Sequence, residues 1–202
     1  MTHHTHINSW KDAESAFTQQ LARNIEELNG TFPPHWVHFI EHIDERTDIQ
    51  RIVDIGCGAG AYCYIAKELG FNYVGYDYSE HAVNLATKQW QGEFVCKDYK
   101  DITSEDIKED DLVVANALCD VLPNGDECLK HLLNIVPNHL LVQRVRITQL
   151  PNFFREYRAY GIMTYEFYHN KQELEKQVKS AGYELSYHNL YGDNVFDLEL
   201  NR

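Results

Sequence analysis

Residues 51–66 read RIVDIGCGAGAYCYIA. A short apolar run leads into three glycines at alternate positions, Gly56, Gly58 and Gly60, and an apolar helical pattern follows them. Glycine allows backbone conformations with positive φ and lets a ligand approach the main chain near a helix N-terminus. The stretch therefore predicts a strand, a ligand-binding turn and a helix, in that order.

Short β-rich runs alternate with helical patterns along most of the chain. The β-rich runs are RIVDI, NYVGYD, EFVCKD, DLVVANAL and HLLVQRVRI. This alternation is typical of right-handed βαβ crossovers. Near the end, Gly192-Asp193-Asn194 separates two further β-rich runs and predicts a hairpin. We expect an α/β fold: a doubly wound, mostly parallel seven-stranded sheet that ends in an antiparallel hairpin, with helices on both faces.

Two amphipathic patterns precede the first strand. Apolar residues recur at three- and four-residue steps over residues 9–28, and a second helical stripe follows Pro33-Pro34. We expect residues 1–50 to form an N-terminal helical cap and residues 51–202 to form a Rossmann-like domain. An aromatic insert at about 151–170 is interpreted in two ways, as a lid over an acceptor or as a packed surface segment.

Composition limits the partners and the compartment. Lys and Arg total 18 against 31 Asp and Glu, a net charge of −13, which disfavours nucleic acid. We find no apolar stretch of membrane-spanning length and no signal peptide, and the five cysteines contain no CxxC pair. A soluble cytoplasmic protein with reduced thiols is expected. We predict no metal site, because a solvated tail is the preferred interpretation of three terminal histidines, His3, His4 and His6.

Acidic residues follow or end three successive predicted strands. Asp54, two residues before Gly56, would repel a pyrophosphate but attract an ammonium group. Asp77, 21 residues after Gly56, suits ribose hydroxyls in either an NAD or an S-adenosylmethionine site. Asp98 can accept from an adenine amine while Tyr78 lies against the ring. An adenosine cofactor is predicted.

With these acids in order, residues 51 to about 147 resemble a class I S-adenosylmethionine-dependent methyltransferase. VDIGCGAG matches the family's first motif, and YDYSEHAVNLA, KDYKDI and DLVVANALCDVL resemble the next three. The resemblance implies that S-adenosylmethionine is the cofactor and S-adenosylhomocysteine the product. It also implies ten cofactor-binding residues: Asp54, Gly56, Cys57, Gly58, Gly60, Asp77, Tyr78, Asp98, Tyr99 and Asn116.

The fourth motif bears on the acceptor. Family members that methylate DNA bases or protein glutamine carry an Asn/Asp-Pro-Pro-aromatic turn there, whereas this chain has Asn116-Ala117-Leu118-Cys119. With the negative charge, this departure favours in-line transfer to a small-molecule acceptor. The resemblance implies an acceptor pocket built from residues 9–43, Leu118–Asp126 and Pro151–Asn170.

The sequence offers few catalytic candidates. His169 in the insert is a candidate base, and Asp120 is a candidate acceptor contact. Each also has an ordinary structural interpretation, as a hydrogen-bonded turn residue and a helix cap respectively. Arg23 is a candidate for the methionyl carboxylate, with a solvated helix face as its alternative.

Two other functions stay open at this point, and so does the oligomeric state. The letters GCGAGA also satisfy the G-x-G-x-x-[GA] dinucleotide fingerprint, which would fit an NAD-linked oxidoreductase. Asp54 and the terminal hairpin speak against that function. A cofactor-binding, non-catalytic interaction module is the third possibility, because an exposed aromatic insert is also typical of a protein interface.

Overall fold

Six α-helices and nine strands make up the described part of the computed structural model, residues 10–11, 13–44 and 46–202. The helices are α1 (Glu14–Asn29), α2 (Pro34–Ile43), α3 (Ala61–Glu68), α4 (Glu80–Trp90), α5 (Gly125–Ile135) and α6 (Lys171–Ser180). The strands are β1 (Arg51–Ile55), β2 (Asn72–Asp77), β3 (Glu93–Cys96), β4 (Asp111–Asn116), β5 (His139–Thr148), β6 (Phe153–Ala159), β7 (Ile162–Asn170), β8 (Glu184–His188) and β9 (Val195–Asn201). None of these helices combines the length and apolar character needed to cross a membrane.

Seven of the strands form the expected open sheet, in the order β3-β2-β1-β4-β5-β9-β8. Neighbours from β3 to β5 pair in parallel, and β9 runs antiparallel to both β5 and β8. The predicted terminal hairpin is therefore confirmed, as is the doubly wound, mostly parallel fold class. The carboxyl ends of the parallel strands meet at one edge of the sheet.

The insert adds two strands that the expected count of seven did not include. β6 and β7 form an antiparallel hairpin, and the end of β7 pairs in parallel with Arg146–Thr148 at the end of β5. Tyr160 and Gly161 join the two strands with φ values of 51° and 79°. Two successive residues with positive φ are what a tight hairpin turn requires. β5 is long enough to pair with β9 along most of its length and with β7 at its tip.

Alternate residues of the central strands face two hydrophobic cores. On β1, Val53 packs into the core that contains Leu129 of α5, whereas Ile52 packs into the core that contains Phe39 of α2 and Ile65 of α3. Helices therefore cover both faces of the sheet, as expected. Burial on both faces fixes the strand register and hence the positions of the side chains at the strand ends.

The two N-terminal helices have different environments. α2 buries Trp36 and Phe39 in the same core as β1 and α3. α1 begins at Glu14, later than the expected residue 9, and crosses the glycine loop. There Gln20 Oε1 accepts a hydrogen bond from the Ala59 amide at 3.0 Å. α1 thus closes one side of the space above the strand ends.

Candidate active site

A cavity of about 390 Å³ lies above the carboxyl ends of β1, β2 and β4. Its floor includes Asp54, the glycine loop, Asp77 and Asn116. A second cavity of about 190 Å³ adjoins it and shares Asp77 and Tyr78 in its wall. Open α/β sheets bind their ligands at this edge, where the strand order reverses. The two cavities together form the candidate site.

The glycine loop takes its shape from positive φ values at all three glycines, 77° at Gly56, 51° at Gly58 and 75° at Gly60. The Gly58 amide donates to Asp77 Oδ2 at 2.9 Å. A Cβ atom on Gly58 would lie 2.6 Å from Gln20 Oε1 of α1. Gly56, Cys57 and Gly58 line the larger cavity, so the backbone of this loop faces the space a ligand would fill.

Gly60 has a different environment from the other two glycines. It lines neither cavity, and a Cβ atom there would lie 2.6 Å from the Phe94 ring and 2.9 Å from Ala86. Gly60 is also the residue that immediately precedes α3. Its geometry lets the loop pack against α4 and β3, and it offers no direct contact to a ligand in either cavity.

Two buried carboxyl groups lie on the floor of the site, at the ends of β1 and β2. Asp77 accepts from the Gly58 and Ser79 amides, at 2.9 Å each, and Asp54 Oδ2 accepts from the Tyr73 hydroxyl at 2.9 Å. Burial raises the pKa of Asp54 to about 7, against the opposing hydrogen bond from Tyr73. Burial likewise raises the pKa of Asp77 to about 6, against its backbone hydrogen bonds. Both groups disfavour the charged form unless a cation or a donor approaches.

Two buried oxygens on the floor have no hydrogen-bond partner in the described part of the protein. They are Oδ1 of Asp54 and Oδ1 of Asn116, from the ends of β1 and β4. Such orphan acceptors in a folded protein call for an explanation. A ligand with an ammonium group and other donors at this position would satisfy both.

The smaller cavity carries the features expected of an adenine pocket. Asp98, Tyr99 and Tyr78 line it, together with Leu122 from the segment after β4. Asp98 Oδ1 accepts from the Lys100 amide at 3.1 Å, which orients the carboxylate at the end of β3. An aromatic and aliphatic wall with one carboxylate suits a flat base that bears an exocyclic amine.

A bulge in β5 turns Arg144 toward the larger cavity. The register of β5 against β9 shifts between Val142 and Val145, and Arg144 has a φ of 62°. Asp197 of β9, fully buried, accepts from the Arg144 amide at 2.8 Å and from Gln143 Nε2 at 2.8 Å. Asp197 therefore stabilises a backbone conformation that an ordinary strand would not adopt.

The side chain of Arg144 lies in that cavity without a carboxylate partner. Its Nε is buried and has no hydrogen-bond partner in the described residues, and it forms no ion pair with any of them. Arg23 on α1 lines the same cavity and donates to the Tyr160 hydroxyl, with Glu27 at 3.6 Å. Burial, followed by the positive charges of Arg144 and Arg23, lowers the pKa of His35 to about 3. This part of the cavity is electropositive.

The walls of the larger cavity come from the segments that the family resemblance implied. α1 and the residues before it supply Trp10 and Phe17, the segment after β4 supplies Leu118, and the β6–β7 hairpin supplies Tyr157 and Tyr160. The insert is thus part of the cavity wall. The structure adds His35 and Arg144, which the sequence analysis did not identify as site residues.

The two candidate catalytic residues lie outside both cavities. His169 is buried in β7 beside Phe167, and burial lowers its pKa to about 4. Asp120 is buried and bonded to Arg146, which also pairs with Glu166 at 2.9 Å. Neither residue lines the space available to a ligand, so the geometry gives no support to a direct role for either.

Solved structures share this fold. Magnesium protoporphyrin IX methyltransferase from Synechocystis PCC 6803 with bound S-adenosylhomocysteine superposes with a TM-score of 0.67, at 14% identity and 97% coverage of both chains. Identity this low supports similarity of fold alone. The match nevertheless extends over nearly the whole of both chains, including the N-terminal helices.

Curated relatives match over shorter stretches. Ribosomal protein L11 methyltransferase from Thermotoga neapolitana is 40% identical over 74 residues, which is 35% of this chain and 28% of that protein. Ubiquinone biosynthesis O-methyltransferase from Agrobacterium fabrum is 32% identical over 85 residues, 42% of this chain and 32% of that protein. The chain thus spans about a third or less of the length of these relatives.

A family model described as "Methyltransferase domain" matches residues 47–195, which is most of the chain. That range contains β1 to β8 and the first residue of β9, together with the glycine loop and the acidic strand ends. The chain belongs to the class I S-adenosylmethionine-dependent methyltransferases.

Proposed function

We propose that this protein transfers a methyl group from S-adenosylmethionine to a small-molecule acceptor that carries an anionic oxygen group. The proposal of an anionic acceptor rests on Arg144, which lines the larger cavity and forms no ion pair with a carboxylate among the described residues. Arg144 is half-buried, and its charge acts on Asp120 without forming an ion pair, so its guanidinium is available to the negative charge of a ligand. Arginine is well suited to bind carboxylate or phosphate-type oxygens.

The cofactor would span the two cavities. Asp77 would accept from the ribose hydroxyls, and Asp98, Tyr99 and Tyr78 would surround the adenine in the smaller cavity. When bound there, S-adenosylmethionine supplies an electrophilic methyl group on a sulfonium centre. Gly60 was expected to contact the cofactor, and we revise that expectation: in this geometry Gly60 packs against Phe94 and Ala86.

The methionyl portion would lie over the glycine loop in the larger cavity. Asp54 and Asn116 would accept from its ammonium group, which would fill the unpaired positions on both oxygens. The backbone of Gly56, Cys57 and Gly58 borders the same space. Burial raises the pKa of the Cys57 thiol well above its usual range, so this cysteine serves through its backbone and not as a nucleophile.

The remainder of the larger cavity is the acceptor space. His35 stays neutral there because its pKa lies far below 7, so it is a weak base that can accept a hydrogen bond but holds a proton poorly. An acceptor that is already ionised needs no base, and alignment with desolvation then supplies the rate. The site therefore favours an anionic oxygen held by Arg144 over a neutral acceptor that must first lose a proton.

Three features support a small acceptor. The cavity is limited to about 390 Å³, part of which the methionyl portion would fill, and aromatic side chains from α1 and the insert form its wall. The net charge of −13 disfavours nucleic acid. One of the curated relatives above, matched over 85 residues, is named for ubiquinone biosynthesis.

The cofactor part of the proposal is tested first, by calorimetric titration with S-adenosylhomocysteine and, in parallel, with NADH. We expect binding of S-adenosylhomocysteine and none of NADH. NADH binding without S-adenosylhomocysteine binding would contradict the proposal and favour an oxidoreductase. Cofactor binding without turnover of any acceptor would favour the non-catalytic module.

The acceptor part is tested with pairs of acceptors that differ only in a carboxylate or the corresponding amide. We expect turnover of the carboxylate member, and Arg144→Gln should raise its KM about 10–100-fold while S-adenosylhomocysteine affinity is unchanged. Arg158→Gln, an exposed arginine of β6, is the matched control. If Arg144→Gln instead weakens S-adenosylhomocysteine binding, Arg144 binds the cofactor carboxylate and the acceptor assignment is wrong.

A further inference from the structure

Three histidines converge on a single carboxylate oxygen on the far side of Asp197 from Arg144. The Oε1 atom of Glu199 lies 2.9 Å from His38 Nε2, 3.1 Å from His42 Nδ1 and 3.2 Å from His188 Nε2. The donor atoms of His38, His188 and Glu199 all lie within 4.8 Å of one another. None of these residues lines either cavity of the candidate site.

The fold places these groups together from elements distant in sequence. His38 and His42 are four residues apart on α2 and so lie on one helix face. Asp197 and Glu199 are two residues apart on β9, and His188 on β8 pairs with Asp197, so all three side chains share one face of the sheet. α2 packs its histidine face against that face of the sheet.

The contact between His38 and Glu199 requires a positive charge. The other ring nitrogen of His38, Nδ1, lies 2.9 Å from Asp197 Oδ2, which is fully buried and also accepts from Gln143. A proton on Nδ1 therefore leaves a lone pair on Nε2, which faces a carboxylate oxygen at 2.9 Å. Either a second proton or a metal ion must lie between the two atoms.

His188 brings a second ring nitrogen to the same carboxylate oxygen. Its Nε2 is buried and has no hydrogen-bond partner in the described residues, although Glu199 Oε1 is 3.2 Å away. An aligned hydrogen bond would have used that nitrogen. Ligand atoms around a tetrahedral zinc ion, with bonds of ~2.0–2.2 Å, lie about 3.3 Å apart, and Glu199 Oε1 lies 2.9 Å and 3.2 Å from the nitrogens of His38 and His188.

We propose that His38, His188 and Glu199 bind a divalent transition-metal ion of the zinc class. Two imidazoles and one carboxylate suit zinc and disfavour magnesium or calcium, which prefer all-oxygen sites. Asp197 then holds His38 in the required tautomer, the usual arrangement of a carboxylate behind a metal-bound histidine.

The ion would link α2 to the β8–β9 pair. Because Asp197 contacts both His38 and the Arg144 amide, one buried carboxylate joins the metal site to the bulge that positions Arg144. The site would thus have a structural function, since it lies outside the space for cofactor and acceptor. It stands independently of the proposed acceptor.

The test measures zinc affinity by competition with a chromophoric chelator, using the untagged 202-residue chain. The terminal histidines His3, His4 and His6 could bind zinc themselves, so all variants are made in a His3→Ala, His4→Ala, His6→Ala background. In that background we expect one tightly bound zinc ion. His188→Ala and Glu199→Gln should each weaken binding at least about tenfold, whereas His81→Ala, an exposed histidine on α4, should not.

Thermal unfolding provides the second measurement, with circular dichroism in chelator to confirm that each variant folds. Zinc should raise the Tm of the background protein and of His81→Ala, but not that of His188→Ala. Cobalt(II) should give the intense visible absorption of a four-coordinate ion. Loss of zinc binding in the background protein, or unchanged affinity in both His188→Ala and Glu199→Gln, would overturn the proposal and leave a protonated His38 between the carboxylates.

Discussion

The Gly58 amide donates a hydrogen bond to Oδ2 of Asp77 at 2.9 Å, so the glycine loop after β1 is tied to the tip of β2 before any ligand arrives. The Ser79 amide donates to Oδ1 of the same carboxylate. Asp77 is therefore both a shaping group for the loop and the acid proposed for the ribose hydroxyls. Its substitution should affect the cofactor both directly and through the loop, because the Gly58 and Ser79 amides lose their acceptor.

Asp77→Ala should lower the affinity for S-adenosylhomocysteine about 10–100-fold or more, because two hydrogen bonds from the ribose to a charged group are lost. Calorimetric titration measures the change. Asp101→Ala, an exposed acid after β3, is the control and should bind as the unmodified protein does. Equal affinity in Asp77→Ala and Asp101→Ala would mean that the ribose lies elsewhere.

Cofactor binding should depend on pH through Asp54. Its pKa in the folded, ligand-free protein is about 7, raised from the usual value near 4 by burial, so the carboxyl is largely protonated below pH 7. Only the ionised form attracts an ammonium group. Affinity for S-adenosylmethionine should therefore rise as pH increases from about 6 to 8. Asp54→Asn should bind weakly and lose this pH dependence.

The same shift gives the opposite trend for the stability of the ligand-free protein. Between the unfolded pKa and the folded pKa of Asp54 the folded state binds more protons, so the contribution of this group falls as pH rises toward 7. Asp54→Asn should therefore gain free energy of unfolding relative to the unmodified protein as pH rises from 6 to 8. Chemical denaturation at the two pH values measures the difference. A difference that does not change with pH would contradict the assigned pKa.

Gly60→Ala should destabilise the fold more than Gly182→Ala. Both glycines have positive φ, 75° and 82°, so both substitutions introduce backbone strain of roughly 1–2 kcal/mol. Only at Gly60 does the added Cβ also meet other atoms, 2.6 Å from Phe94, whereas Gly182 has open space within 4 Å. Urea denaturation compares the two. Equal losses of unfolding free energy would show that the residues around Gly60 rearrange to accommodate the added methyl group.

Asp197→Asn should disturb the acceptor site without disturbing the cofactor site. The carboxylate accepts from both the Arg144 amide and Gln143 Nε2, at 2.8 Å each, and an amide cannot accept with both of its atoms. We expect a raised KM for the anionic acceptor and an unchanged affinity for S-adenosylhomocysteine. Because Asp197 is buried in a polar network, a loss of stability of about 1–3 kcal/mol should accompany the change. If the folded variant has an unchanged KM for the acceptor, the position of Arg144 does not depend on Asp197.

Local sequence patterns predicted the parallel sheet well, because each strand and helix is short, strongly periodic and bounded by its own turn residues. The two strands of the insert were missed. β6 is largely exposed, so its Phe153 to Ala159 run lacks the apolar alternation that marks a half-buried strand, and its pairing with β7 and β5 provides the missing stabilisation.

The sequence by itself determined the open α/β sheet and the family, because the order of the motifs can be read along the chain. Asp54, the glycines, Asp77 and Asp98 each follow or end their own strand. The tertiary structure alone decided which groups meet across the fold. Arg144 enters the cavity through a bulge held by Asp197, 53 residues away, and His38 meets Glu199 across 161 residues. Such contacts leave no local periodicity, since they arise only when a helix packs on a sheet whose register is already fixed.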